Sequence, residues 1–435
     1  MVPTGQLKTD PSRLYEGVRK RARLWRAWSE VHRKAVTSKS RETRGEAREF
    51  ARGVVRHIDR IARQLQQDRF KFLAQKGVLI PKSSGRYRPI VVAPIASRIV
   101  QRSILDTLQD LPELRRELCA GYNFGGVPGE DFGVPGAIVK VQSEITERPF
   151  YIRTDVKSFF EHVNKPLAIA RVLAFTDDKK FAAFFETAVQ TELADAARYG
   201  DHVKLFPLSD EGVAQGSCLS PLLCNLLLKD LDKQLNDRSV VAIRYIDDVL
   251  ILGRSAKSVF KAFSAAQETL WSMGLSCYDP RLMEDKGKAE FGNASDGLTF
   301  LGCELIGREV RPSKANRHQL LQSVEATFED SLRLLAEPTK AIGARASYAE
   351  AITFVSKIVQ GWANTFAFCT DDRVMGSLDA EINRLVDEFT NRAWRRLRGA
   401  SALNRRRGLG VFAIADRVQP VSASLVKSLR VTSTR

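Results

Sequence analysis

Three aspartates stand where burial would penalise them. Asp155 closes the run Phe150-Tyr151-Ile152-Arg153-Thr154, and Asp247 and Asp248 sit side by side between Ile243-Arg244-Tyr245-Ile246 and Val249-Leu250-Ile251-Leu252. A buried carboxylate is costly unless it is paired or holds a cation. An Asp-Asp pair is in itself an ordinary turn signal, because Asp tolerates turn geometry. Here, however, two apolar strands aim adjacent like charges at one point, and a divalent cation would relieve their repulsion. With a third Asp supplied by a neighbouring strand, the set fits a two-metal phosphoryl-transfer site. The bland alternative is three structural acids.

The elements around these acids follow from periodicity. Residues 11–76 read as helix: Leu14, Val18, Leu24 and Trp28 form one apolar stripe, and Phe50, Val54, Ile58, Ile61 and Leu65 another, with Arg52, Arg56, Arg60 and Arg63 on other faces. Residues 77–95 read as two short strands around Ser83-Ser84-Gly85, followed by a helix from Ile95 to about Leu108. The stretch 120–136, with six glycines, reads as a loop. A strand over 150–156, helix over 165–200, loop over 207–216, an apolar helix over 218–235, two strands over 240–252 and a helix over 256–273 come next. Leu298 to Glu309 reads as a hairpin containing Gly302. From 314 the pattern is helical, and 400–435 is basic, Ser-rich and weakly patterned, the expectation being a mobile tail.

Charge narrows the partner. The 435 residues carry 68 Lys and Arg against 51 Asp and Glu, a net +17, which favours polyanions. The excess is uneven: residues 1–76 carry a net +12 and residues 392–435 a net +10, so the centre is near neutral. That split suits an enzyme core between two nucleic-acid grips. Six cysteines without a Cys-x-x-Cys pair argue against a zinc ribbon and for reduced thiols, and five scattered histidines form no metal-binding pair. No apolar run reaches the ~18 residues of a membrane span, and no apolar signal region opens the chain, so a soluble cytoplasmic protein without a membrane partner is expected.

The boxes resemble those of reverse transcriptases. Tyr245-Ile246-Asp247-Asp248 is similar to the family's catalytic box. Ile80-Pro81-Lys82 with Gly85 and Arg88-Pro89-Ile90 resembles the fingers motif, and Asp155-Val156-Lys157-Ser158-Phe159-Phe160 the first palm motif. Gly212-Val213-Ala214-Gln215-Gly216-Ser217, then Ser220-Pro221, resembles the second, and Phe300-Leu301-Gly302 the primer-grip hairpin. Five boxes in the family's order cover about 225 residues. The resemblance implies an α+β right-hand polymerase: fingers and palm of antiparallel sheet plus helices, and an all-helical thumb. The expected division is a basic helical extension over 1–76, fingers with the start of the palm over 77–154, palm over 155–310, thumb over 311–399 and a basic tail over 400–435.

It also implies roles. Asp155, Asp247 and Asp248, with the carbonyl of Val156, would hold two Mg2+ ions, Mn2+ being an alternative. Lys82 and Arg88 would hold the triphosphate of the dNTP, their charges suiting phosphate oxygens. Gln215 and Gly216 would approach the nucleotide sugar and template, and Phe160 would be the steric gate against a 2′-hydroxyl, its alternative being plain core packing. Lys286 or Lys288 would supply the cation that protonates pyrophosphate. Leu301 and Gly302 would grip the primer, and Arg392, Arg395, Arg396 and Arg398, with Arg52, Arg56, Arg60 and Arg63, would hold nucleic-acid phosphates.

Among bacterial members, Gln360-Gly361-Trp362-Ala363-Asn364 followed by Leu378-Asp379 resembles the thumb of the group II intron lineage. The Val-Thr-Gly signature of a retron enzyme and a downstream nuclease are not found, and Ser97 precedes Arg98 where many relatives have Asp. The expectation is a defence-associated, abortive-infection type of enzyme that copies an associated structured non-coding RNA into DNA. The alternatives are an intron-RNA-binding maturase, an untemplated or protein-primed polymerase on the same palm, and a catalytically dead RNA-binding scaffold. A second copy of the chain or a partner protein remains open.

Overall fold

The computed structural model describes residues 10–38, 40–82, 85–236, 239–336 and 347–414. The chain divides into two units, Met1–Leu301 and Gly302–Arg435.

The first unit opens with four helices, α1 (Leu14–Val18), α2 (Arg21–Val36), α3 (Arg41–Arg52) and α4 (Val54–Gln66). The periodicity is real but the helix is not continuous. Leu14, Val18, Leu24 and Trp28 are all buried, yet the chain breaks between Val18 and Arg21, and again at Gly53. Residues 67–75 lie outside any helix. Strands β1 (Lys76–Pro81) and β2 (Tyr87–Val92) then form an antiparallel hairpin. Helices α5 (Ile95–Gln109), α6 (Pro112–Leu118) and α7 (Gly133–Glu144) lead to β3 (Phe150–Asp155).

After α8 (Phe159–His162), α9 (Lys165–Leu173) and α10 (Lys179–Val189), residues Ala196–Leu205 form 3-10 helix kinked at Gly200 rather than a continuation of α-helix. The apolar helix expected over 218–235 is two, α11 (Ser220–Leu227) and α12 (Lys229–Leu235), parted at Leu228. Strands β4 (Val240–Tyr245) and β5 (Asp248–Gly253), helix α13 (Ala256–Ser272), and strands β6 (Glu290–Asn293) and β7 (Leu298–Phe300) complete the unit.

Its main sheet has the order β4-β5-β3-β6 with every pair antiparallel. Apolar side chains of α1, α2, α4, α5, the α9–α13 helices and this sheet share one core, so the N-terminal helices are built into it. Each nonpolar side chain buried there contributes about 1.5–3 kcal/mol.

The second unit begins at Gly302. Strands β8 (Cys303–Ile306) and β9 (Glu309–Pro312) form a hairpin around Gly307, and β7 and β8 end and begin on either side of Gly302, as expected over 298–309. Helices α14 (Lys314–Leu335), α15 (Tyr348–Thr365) and α16 (Asp372–Gly399) then pack around Leu320, Val324, Phe328, Leu332, Leu385, Phe389 and Ala393, apolar positions at the helical spacing expected from 314. The tail expected over 400–435 begins with a further helix, α17 (Ala402–Leu409), capped by the Ser401 side chain, which accepts from the Asn404 N–H. Residues 415–435 lie outside the described residues.

Candidate active site

The acids meet because of strand register. Asp155, the last residue of β3, lies directly opposite Asp248, the first of β5, and Tyr245 lies opposite Asp248 on the other side. Directly opposite residues in an antiparallel pair share a face of the sheet. Asp247 fills the two-residue turn between β4 and β5, and its carbonyl accepts a hydrogen bond from the Val156 N–H at 3.0 Å. The Asp155 carbonyl accepts from the Tyr278 N–H at 3.1 Å, which fixes the end of β3 from the other edge.

The electrostatics are those of a crowded anionic site. Burial, then the charges of Asp247 and Asp248, push Asp155 up to about 7, with Lys288 opposing. Burial followed by the charge of Asp247 raises Asp248 to about 6, against Arg153 and Lys288. Burial also raises Asp247, opposed by hydrogen bonding and by the charges of Arg88 and Arg244. The Asp247 charge acts on Asp155, so without a cation burial and like-charge repulsion favour protonation within the pair. Among the described residues no three His, Cys, Asp or Glu side chains close around one metal-sized point. The fit therefore rests on Asp155 and Asp248 opposite in register with Asp247 beside them: hard oxygen donors, mostly buried and mutually repelling, suited to Mg2+ or Mn2+.

Several nucleotide-binding candidates are tied to one another, and Arg88 and Lys288 act on the acids. Arg88 projects from β2, and its charge acts on Asp247. Lys82, at the end of the same hairpin, lies 4.0 Å from Glu161 in α8. The loop carrying Gln215 is hooked onto β2: the Gln215 carbonyl accepts from the Val91 N–H at 2.8 Å. Gly216 follows at φ +117°, where a Cβ would stand 2.6 Å from the Val91 carbonyl oxygen, so no other residue permits this approach. Phe160 is half-buried beside the fully buried Phe159, and its carbonyl accepts from the Val213 N–H at 2.8 Å, tying it to the same loop. Lys286 is exposed, and the lysine whose charge acts on Asp155 and Asp248 is Lys288.

Several of the remaining candidates already have partners. Leu301 and Gly302 have positive φ, and the Gly302 carbonyl accepts from Asn316 at 2.8 Å. Arg56, Arg60 and Arg63 share the exposed face of α4, while Arg52, on α3, pairs with Glu49 at 2.7 Å. Arg392 pairs with Glu329 and Arg396 donates to the Leu332 carbonyl, so both brace α16 against α14. Arg395 and Arg398 are exposed.

Sequence reasoning missed the support beneath the catalytic turn. Ile246 adopts φ +62°, a strained conformation for a β-branched residue. It is held by Arg244, only 1% exposed, whose Nη1 donates to the Ile246 carbonyl at 2.9 Å and to Asn225 Oδ1 at 3.1 Å. The other face of the same guanidinium is bidentate to Asp232, at 2.7 and 2.5 Å. Asn225 in turn donates to the Gly125 carbonyl at 2.8 Å, and a Cβ on Gly125 would come within 2.8 Å of Ile246 Cγ1. The glycine-rich loop thus seats the turn. The available signal was a lone arginine inside the apolar strand 240–245.

Strand ends presenting clustered acids, with a cationic hairpin and a glycine-gated loop, define a nucleotidyltransferase palm. The family model described as "Reverse transcriptase (RNA-dependent DNA polymerase)" matches residues 80–305, just over half of the chain. The chain belongs to the reverse transcriptase family, and its antiparallel sheets with a following helical unit are those of the fingers, palm and thumb fold.

"Protein YkfC" of Escherichia coli (strain K12) is 26% identical over 286 residues, 57% of this chain and 71% of that protein. The "Putative COX1/OXI3 intron 1 protein" of Saccharomyces cerevisiae is 27% identical over 184 residues, 42% of this chain, and the match spans only 20% of that longer protein. Among solved structures, a Candida albicans telomerase with a fragment of telomeric RNA aligns with TM-score 0.39 and 12% identity, over 80% of this chain and 62% of that one. A Cas6-RT-Cas1–Cas2 complex aligns with TM-score 0.34 and 13% identity, over 87% and 51%. At such TM-scores neither likeness adds to the family match.

Among the described residues no helix is long and apolar enough to cross a membrane.

Proposed function

We propose that this chain extends a primer with dNTPs by two-metal nucleotidyl transfer, copying a structured RNA held by its basic ends. The observation that carries the reading is the register that sets Asp155 opposite Asp248, with the charge of Asp247 acting on both, in a chain of this family. Asp155, Asp247 and Asp248, with the Val156 carbonyl beside them, would hold the ions. Bound Mg2+ supplies activation of the primer 3′-hydroxyl and charge balance on the leaving pyrophosphate. Arg88, whose charge acts on Asp247, and Lys82 orient the triphosphate, and Lys288 gives a proton to the leaving group; the charge of Lys288 on the acids supports that role. The Phe160 ring, fixed through its carbonyl to the Gln215 loop, excludes the 2′-hydroxyl.

The RNA assignment draws on the basic segments 1–76 and 392–435 and on the exposed arginine face of α4. The antiphage setting rests on the resemblance of the sequence alone. A second reading, binding of intron RNA as a maturase, is favoured by relatives named as intron proteins.

The test is Asp247→Asn together with Asp248→Asn. The double variant should keep its circular dichroism spectrum and its RNA affinity while losing incorporation of labelled dNTP. Normal incorporation would sink the site assignment.

A further inference from the structure

Behind the loop that carries Gln215 lies a second feature, a cavity of about 290 Å³ whose walls include Gly216 and Ser217. Arg98 of α5 lines it. Among the described residues the Arg98 guanidinium has no hydrogen-bond or ion-pair partner, and its Nη1 is fully shielded from solvent. Burial pulls its pKa down, with only minor support from Cys218 and Glu46. The residue is half-buried, so its unpaired charge carries a desolvation cost that no hydrogen bond or ion pair among the described residues offsets.

The rest of the lining is complementary. Gln75 is 5% exposed; its amide donates to the Gln190 carbonyl, but its Oε1 has no donor. Lys34 stands exposed at the wall without an ion-pair partner. The remaining charges are occupied: Arg102 is paired with Asp106 at 2.7 Å and Glu30 with Arg33 at 2.8 Å. Val31, Val91 and Val189 supply apolar wall.

We propose that this cavity binds one nucleotide unit, its phosphate on Arg98 and Lys34, a hydroxyl or amino donor on Gln75 Oε1, and its ring or sugar against the valines. An arginine with free N–H groups is the side chain best suited to a phosphate, and a buried acceptor without a donor asks for a ligand N–H or O–H. The unit comes either from a free nucleotide or from a nucleic-acid strand. The site is separate from the three acids and does not depend on the polymerase reading.

The experiment uses the full chain carrying Asp247→Asn and Asp248→Asn, freed of nucleic acid and kept in EDTA, so that the metal-dependent site is silent. AMP and a 5′-phosphorylated oligodeoxynucleotide are titrated separately, read by thermal shift and calorimetry, with and without Arg98→Met or Arg98→Gln. Loss of a charge-assisted hydrogen bond should weaken binding roughly 10–100-fold. If AMP binds and Arg98→Met removes that binding, the source is a free nucleotide. If only the oligonucleotide responds to Arg98, the source is a strand. Without ligand, both substitutions should leave the Tm unchanged or raise it, because they remove an unpaired charge. The proposal is overturned if neither probe's affinity depends on Arg98. It is equally overturned if both substitutions lower the ligand-free Tm, which would make the arginine a structural residue. Neither outcome bears on whether the aspartates catalyse polymerisation.

Discussion

Arg244 is a positioning residue, and its effect can be separated from its contribution to stability. Asp232→Ala would strand a guanidinium that is 1% exposed, and breaking such a buried pair typically costs about 3–5 kcal/mol. Replacing both partners, Arg244→Met with Asp232→Leu, exchanges the pair for apolar contacts, a change that is often neutral. What the double variant still loses is the donor to the Ile246 carbonyl, an unsatisfied group worth about 1–3 kcal/mol. The strained φ at Ile246 costs a similar ~1–3 kcal/mol and persists only while the surroundings hold it. Once released, the turn relaxes and Asp247 shifts, and a displacement of about 1 Å can cost ~10²-fold in rate. The double variant should therefore be more stable than Asp232→Ala in urea melts, yet incorporate dNTP about 10²-fold more slowly, with the loss mainly in kcat. A double variant that folds and incorporates at the parental rate would refute the positioning role.

Phe160→Ala should admit ribonucleotides, because the Phe160 carbonyl is tied to the loop that carries Gln215. Excluded volume in a pocket discriminates roughly 10–200-fold per small group, and an unchanged ratio of dGTP to GTP incorporation with activity retained would make Phe160 a core residue. The acids also set a pH dependence. Asp155 and Asp248 are raised in the folded state to about 7 and about 6, so the native protein binds more protons than the unfolded chain across that window. Stability of the metal-free protein should then fall as pH rises from about 4 to 7. Mg2+ should raise the Tm more at pH 8 than at pH 5.5, and Asp155→Asn should raise the metal-free Tm at pH 8. A pH-independent effect of Mg2+ would contradict this.

The acids were legible in the sequence because their chemistry is local. Asp247 and Asp248 are neighbours between two apolar runs, and Asp155 ends a third, so periodicity alone placed each at the end of a strand. The buried stripes of α14 and α16 were legible for the same reason: one face of a helix repeats at a fixed spacing. The breaks at Gly53 and Leu228 were not, because apolar periodicity runs across them and only the packing of each segment turns the chain.

Tertiary structure decided whatever depends on two segments meeting. The β3–β5 register sets Asp155 opposite Asp248, and a slip of one residue would move it to the other face. Lys286 and Lys288 are equivalent as sequence, and only the folded backbone puts the charge of Lys288 on the acids. Arg392 and Arg396 read as free cations until α14 supplied Glu329 and the Leu332 carbonyl. Arg244, Asp232 and Asn225 converge from three elements, and Arg98 is exceptional only because nothing converges on it. A sequence states which charges a chain carries, but whether each is paired depends on long-range geometry, because a hydrogen bond forms or fails within a few tenths of an ångström.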